Sequence, residues 1–259
     1  MKLPIYQVDA FSAQRFSGNP AAVCPLPEWL DDSVLQSIAA ENNLSETAFF
    51  VAEGEGFRLR WFTPAAEVDL CGHATLAAGA VVTRVLEPDR DSVTFMSRGG
   101  QLTVSSEGDL LVMDFPARPG ATVDAPSALL TGLGVVPRQV LVADYYLAVF
   151  DTIDEVMALA PDFQRLEALD RIGVIVSAPG TDVDFVSRFF APGVGVPEDP
   201  VTGSAHCTLT PYWSARLGKK KLRARQVSQR GGELFCEDRG ERVMIAGHAV
   251  FYMQGEIFL

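Results

Sequence analysis

"CGHATLAAGAVVTRVL", residues 71–86, is the stretch on which the fold turns. It opens small residue, Gly72, polar His73, Ala74, and then runs on as small and apolar residues for the length of a helix. A helix that is apolar on almost every side offers no face to water and belongs inside a protein. A second stretch, "TGSAHCTLTPYWSARLG" at 202–218, repeats the plan with Thr202, Gly203, Ser204 and Ala205. Pro211 is its weak point, because proline removes a helix hydrogen bond and predicts a bend.

Strand signals surround both helices. "IYQVDAF", "AAVCPL", "ETAFFVAE", "FRLRWFT", "SVTFMS", "QLTVSS" and "DLLVMDFP" are β-branched or aromatic runs bounded by Gly, Pro, Asp or Ser. The second half continues with "QVLVAD", "YYLAVF", "IGVIVS", "DFVSRFF", "LRARQVSQ", "GELFCED" and "RVMIAG". "DDSVLQSIAAENN" at 31–43 reads as an amphipathic helix, with acids in its first turn and Val34, Ile38 and Ala39 at helical spacing. A further helix is expected between Asp151 and Ala160. Antiparallel strands wrapped around each apolar helix give an α+β protein of two pseudo-symmetric, barrel-like halves. The Pro-rich segment near 116–126 divides them into 1–117 and 118–259, with the last strand a candidate to return to the first half.

Composition excludes several functions. The 259 residues carry a formal net charge of −12, which argues against nucleic acid as a partner. The one basic cluster, "KKKLRAR" at 219–225, reads as a solvated strand edge rather than an anion patch. The apolar runs fall far short of a membrane span. Cysteines 24, 71, 207 and 236 form no CxxC pair, and no leader-like segment opens the chain, so reduced thiols in a cytoplasmic protein are expected. His73, His206 and His248 show no HxxxH or HxH spacing for a metal. "GSA" lacks the second glycine of a G-x-S-x-G elbow.

The two helix starts point to an anion. A helix N-terminus has unpaired N–H groups and partial positive charge, and glycine lets a ligand approach the backbone. Ser204 and His73 add further donors. Acidic residues precede each start, Glu67 and Asp69 in the first half and Glu198 and Asp199 in the second. Facing each other, the starts would bind a small anionic metabolite such as a carboxylate.

"SGNPAAV" (17–23), "NLSETAFF" (43–50), "RWFTPAAEVDLCGHATLAA" (60–78) and "EDPVTGSAHCTLTPYW" (198–213) together resemble the PhzF-like family, named for a phenazine-biosynthesis isomerase. The resemblance implies the diaminopimelate epimerase-like fold, with two similar halves and the active site between them. It implies an isomerase that uses no metal or organic cofactor, usually as a homodimer. By residue, it implies that Glu46 is the catalytic acid/base and that His73 and Asp199 contact substrate and assist proton handling. Ser45, Gly72, Gly203 and Ser204 match ligand-holding positions.

That role suits the setting of Glu46. Leu44 precedes it and Ala48–Phe50 follow, so water should reach it poorly. Desolvation disfavours the charged form of a carboxyl group, which helps a base that must later return its proton. Relatives of this fold that invert a stereocentre place a thiol before the glycine of each helix start. Here Cys71 precedes Gly72 but Thr202 precedes Gly203, and Cys207 is expected a turn inside its helix, as is His206. A single base can move a proton along one face of a conjugated system, as in the isomerisation of trans-2,3-dihydro-3-hydroxyanthranilate by the founding member. The competing readings are a racemase or epimerase that uses Cys71 and a non-catalytic binder of small acids.

Overall fold

A computed structural model describes residues 1–259. The chain forms two compact units, one of Met1–Asp114 with Ala246–Leu259, the other of Phe115–Ile245. Relative to the division at 117/118, the final segment belongs with the first unit rather than the second. In chain order the first unit holds β1 (Lys2–Ala10), β2 (Asn19–Leu26), α1 (Asp32–Asn42), β3 (Glu46–Glu53) and β4 (Gly56–Phe62). It continues with β5 (Glu67–Val68), α2 (Gly72–Val81), β6 (Ser92–Ser97), β7 (Gly100–Glu107) and β8 (Leu110–Pro116). β8 leads out of this unit.

The second unit begins with β9 (Ala121–Thr122), α3 (Ser127–Leu133), β10 (Gln139–Val142), β11 (Tyr146–Val149), α4 (Ile153–Ala158) and α5 (Phe163–Leu166). β12 (Val174–Pro179), β13 (Phe185–Ala191), β14 (Val196–Asp199) and α6 (His206–Leu217) follow. β15 (Lys221–Gln226), β16 (Gly232–Asp238) and β17 (Arg242–Gly247) complete the run, and β18 (Ala249–Phe258) returns to the first unit. The short strands β5, β9 and β14 and the helices α3 and α5 lack a clear sequence signal, because two to seven residues are too few to show a period.

In the first unit, β1 pairs antiparallel with β2 on one side and β18 on the other. β2 and β3 run parallel, joined across α1, and β3 continues antiparallel into β4. α1 starts with Asp32 in its first turn, where a carboxylate complements the helix dipole. It stops at Asn43, whose φ of 50° reverses the chain and delivers Glu46 to the first position of β3. Leu35, Ile38 and Ala39 face a core with Leu3, Ile5, Phe49 and Phe62.

α2 lies against β1, β2, β3 and β7, and every residue from His73 to Val81 is buried. The helix continues as a wider π-type turn over Val82–Leu86. A Cβ at Gly79 would lie 2.5 Å from Val104 Cγ1, so glycine lets the helix press onto β7.

α6 holds the corresponding place in the second unit, lying against β15 and β16. His206–Thr210 are buried, and so is Trp213. Trp213 stacks on Phe185 of β13 with an interplanar angle of 7°, and its Nε1–H donates to Ser177 Oγ of β12 at 2.9 Å. Pro211 sits inside the helix and cannot donate to the carbonyl four residues earlier. That carbonyl belongs to Cys207, and it accepts instead from the Arg118 backbone N–H at 2.9 Å.

The basic cluster is a charged strand. Lys219, Lys220, Arg223 and Arg225 pair with Asp184, Asp238, Glu233 and Asp182 respectively. All four cysteines are buried and free. No helix is long and apolar enough to cross a membrane.

Candidate active site

The first unit gathers a buried polar cluster at the start of α2. Cys71 occupies the N-cap, Gly72 is the first helical residue and His73 the second. Glu46 reaches the cluster from the head of β3, and its side chain is 17% exposed. Glu46 Oε2 lies 3.0 Å from His73 Nε2. The two face each other as a close pair, and neither atom has another hydrogen-bond partner. On the other ring nitrogen, Nδ1, the Asn19 side-chain amide stands at 3.1 Å and Cys71 Sγ at 3.5 Å. Ser45, half-buried, forms the bend just before Glu46. Asn19 had no assigned role in the sequence reading, although it stands in "SGNPAAV". It lies 54 positions from His73, beyond any periodic signal.

The second unit presents Asp199 at the end of β14, followed by Thr202, Gly203 and Ser204. The helix proper begins only at His206. Gly203–Ala205 form a tight turn closed by His206 N–H to Gly203 O, Cys207 N–H to Ser204 O and Thr208 N–H to Ala205 O, at 3.0–3.1 Å. His206 and Cys207 thus open the helix instead of lying a turn inside it. The Thr202 hydroxyl donates a short hydrogen bond to Asp199 Oδ2. Fully buried Gln226 braces both residues. Its Nε2 donates to Asp199 O at 2.8 Å, and its Oε1 accepts from Thr202 N–H at 2.9 Å. Ser204 Oγ lies 3.0 Å from the Tyr145 hydroxyl. Gln226 and Tyr145 sit on or beside strands with nothing in the sequence to mark them.

Electrostatics separates the titratable groups. Burial pushes the Cys71 thiol up to about 11. Burial also works against a charged His73, but the negative charge that Cys71 and Glu46 can carry outweighs it and raises His73 well above the ordinary histidine value. In the second unit, burial raises Tyr145 and pushes Cys207 up to about 12, so both stay neutral.

Glu46, Cys71 and His73 also offer three ligand atoms within 4.8 Å of one another. Carboxylate, thiolate and imidazole are a donor set that suits zinc. The C-x-H spacing with a distant Glu lies outside the His–His patterns considered above. A metal there would have to displace the thiol proton that burial retains.

His206 behaves in the opposite sense to His73. Its Nδ1–H donates to Thr202 O at 2.9 Å, and burial lowers it to about 4. Between pH 6.5 and 4 the unfolded chain binds a proton that the folded chain refuses, so stability falls as pH drops through that window. The full loss is roughly 3 kcal/mol. Urea midpoints at pH 7 and 4.5 check this, and His206→Gln should flatten the difference. An equally steep acid loss in that variant would exclude His206 as its source.

Fold and site together define an α+β protein with the diaminopimelate epimerase-like fold. A solved hydroxyproline epimerase of Agrobacterium vitis, with bound trans-4-hydroxy-L-proline, shares this fold at a TM-score of 0.65 and 10% identity, covering 99% of this chain and 92% of its own. The chain belongs to the phenazine biosynthesis-like (PhzC-PhzF) family, whose model matches residues 8–255. It is 54% identical to an uncharacterized isomerase of Pseudomonas aeruginosa over the whole of both chains. It is 45% identical to a PhzF-family protein of Enterococcus faecalis, whose crystal structure superposes at a TM-score of 0.97 over all of both chains.

Proposed function

We propose that this protein is a cofactor-independent isomerase of a small carboxylate-bearing metabolite, with Glu46 as its single acid/base. The observation that carries the reading is the facing pair of buried, otherwise unpartnered atoms, Glu46 Oε2 and His73 Nε2, at the N-terminus of a buried helix. Glu46 takes a proton from a carbon made acidic by conjugation with a carbonyl or carboxylate. The C–H electron pair moves into the conjugated system, and the charge that develops on oxygen meets His73 and the N–H groups that open α2. The proton then returns to a remote carbon as the double bond shifts, without net oxidation or reduction. Asp199 is assigned a share in reprotonation, and Ser45, Gly72, Gly203 and Ser204 a share in holding the ligand.

The reading with Cys71 as base is less well supported. Its thiol is held near 11, and the matching residue Thr202 has its hydroxyl committed to Asp199. Proton NMR in D₂O decides between them, with trans-2,3-dihydro-3-hydroxyanthranilate and then a panel of small unsaturated and α-amino carboxylates. Wild type and Cys71→Ser should both shift a double bond and incorporate deuterium. Loss of exchange in Cys71→Ser alone would favour the epimerase. Tight binding without exchange across the panel would favour a non-catalytic binder.

A further inference from the structure

Each unit contains the same device just ahead of its helix start. In the first, Arg60 of β4 grips Glu67 of β5 through a two-pronged bond, Nε to Oε1 at 2.7 Å and Nη2 to Oε2 at 2.9 Å. In the second, Arg188 of β13 grips Glu198 of β14 through the same atoms at 2.7 and 2.9 Å. Each arginine lies over the phenylalanine two residues on, Arg60 at 5.1 Å from Phe62 and Arg188 at 4.9 Å from Phe190. Each also holds the end of a neighbouring helix. Arg60 meets Asp32, the first residue of α1, at 2.9 Å, while Arg188 donates to the carbonyls of Val156 and Leu159 at the end of α4.

The pairs are sheltered: Arg60 and Glu67 are 15% and 13% exposed, Arg188 and Glu198 13% and 24%. In both units the glutamate stands five positions before the glycine, Glu67 before Gly72 and Glu198 before Gly203. The first unit adds Arg98 on Glu67 at 2.8 Å, and Gly99 sits so close to Asp69 O that a Cβ would lie 2.8 Å away.

We infer that Arg60–Glu67 and Arg188–Glu198 are duplicated clamps that position the loops carrying Cys71–His73 and Asp199–Ser204. Most exposed ion pairs contribute little. A sheltered, bidentate guanidinium–carboxylate pair instead fixes both distance and orientation, and lysine cannot reproduce it. A glutamate pinned on a two- or four-residue strand leaves only a short tether to the helix start, so the donors there stay aimed without support from a long strand. The inference rests on the acid/base reading only in calling these loops functional.

The test needs no substrate. Arg60→Lys and Arg188→Lys keep the charge and lose the fork. Amide hydrogen exchange should rise about tenfold in 69–74 for the first variant and in 200–204 for the second, each leaving the other loop unchanged. The His73 side-chain ¹⁵N titration should fall in Arg60→Lys as its contact with Glu46 loosens, while His206 stays put. Asp32→Asn, which removes only the outer contact of Arg60, should alter neither loop. A lower melting temperature with unchanged loop exchange and an unchanged His73 midpoint would overturn the inference, as would exchange rising evenly across the unit. Failure of the D₂O experiment would leave these results untouched, so the two readings fall separately.

Discussion

Glu46→Gln should lose about a thousandfold in turnover of any substrate that wild type isomerises, with the folded structure retained. The substitution preserves size and hydrogen-bonding capacity but removes the group that accepts and returns the proton. It also removes the anion 3.0 Å from His73 Nε2. The His73 titration should therefore drop from its raised position, because one of the two groups that offset burial, Cys71 and Glu46, is removed. The sign of the stability effect follows. In wild type, the contacts of His73 with Cys71 and Glu46 stabilise the folded state below pH 6.5, and that contribution fades as pH rises through the raised value. In Glu46→Gln it should be reduced, because one of the two partners is gone. Turnover in D₂O and side-chain ¹⁵N spectra read the two consequences independently. More than about a tenth of wild-type turnover in the variant would remove Glu46 from the role of obligatory base.

Trp213→Ala should cost about 3–5 kcal/mol, the range for truncating a fully buried aromatic side chain. Trp213 is completely buried, and its loss removes the stack on Phe185 together with the indole N–H bond to Ser177. Trp213→Phe keeps most of the apolar volume and should cost less, with the missing hydrogen bond accounting for about 1 kcal/mol. Urea unfolding followed by circular dichroism gives both values. A loss below about 1 kcal/mol in Trp213→Ala would mean that the centre of α6 can collapse around the gap.

Much of this was legible where residue pattern and local geometry coincide. "ETAFFVAE" and "SVTFMS" match β3 and β6 residue for residue, because both runs are bounded by turn-forming residues. The apolar composition of 73–81 announced a helix buried on every side. Contacts remote in sequence left no such trace. Asn19 meets His73 across 54 positions and Gln226 meets Thr202 across 24, and neither distance follows a helical or strand period. The late start of α6 was hidden because Gly203–Ala205 parallels Gly72–Ala74, which opens α2, but closes as a tighter turn. Pro211 looked like a defect while its orphaned acceptor was considered within the helix alone. The acceptor's partner, Arg118, precedes it by 89 positions.

The pairing of β18 with β1 bears on the order in which the chain takes shape during synthesis. Along most of its length β1 has β18 as its neighbour on one side, and backbone bonding extends to Leu259 N–H on Met1 O at 2.9 Å. Ala246–Leu259 follow Phe115–Ile245 in the chain and so are synthesised after it. The N-terminal unit is therefore the one that must wait, although multidomain proteins usually fold from the N-terminus onward. Phe115–Ile245 is continuous and can fold while β1 still exposes an open edge to the nascent chain's surroundings. Residues 246–259 close the first unit, so synthesis that stops at Ile245 leaves the Glu46–His73 half unfinished after the second half is complete.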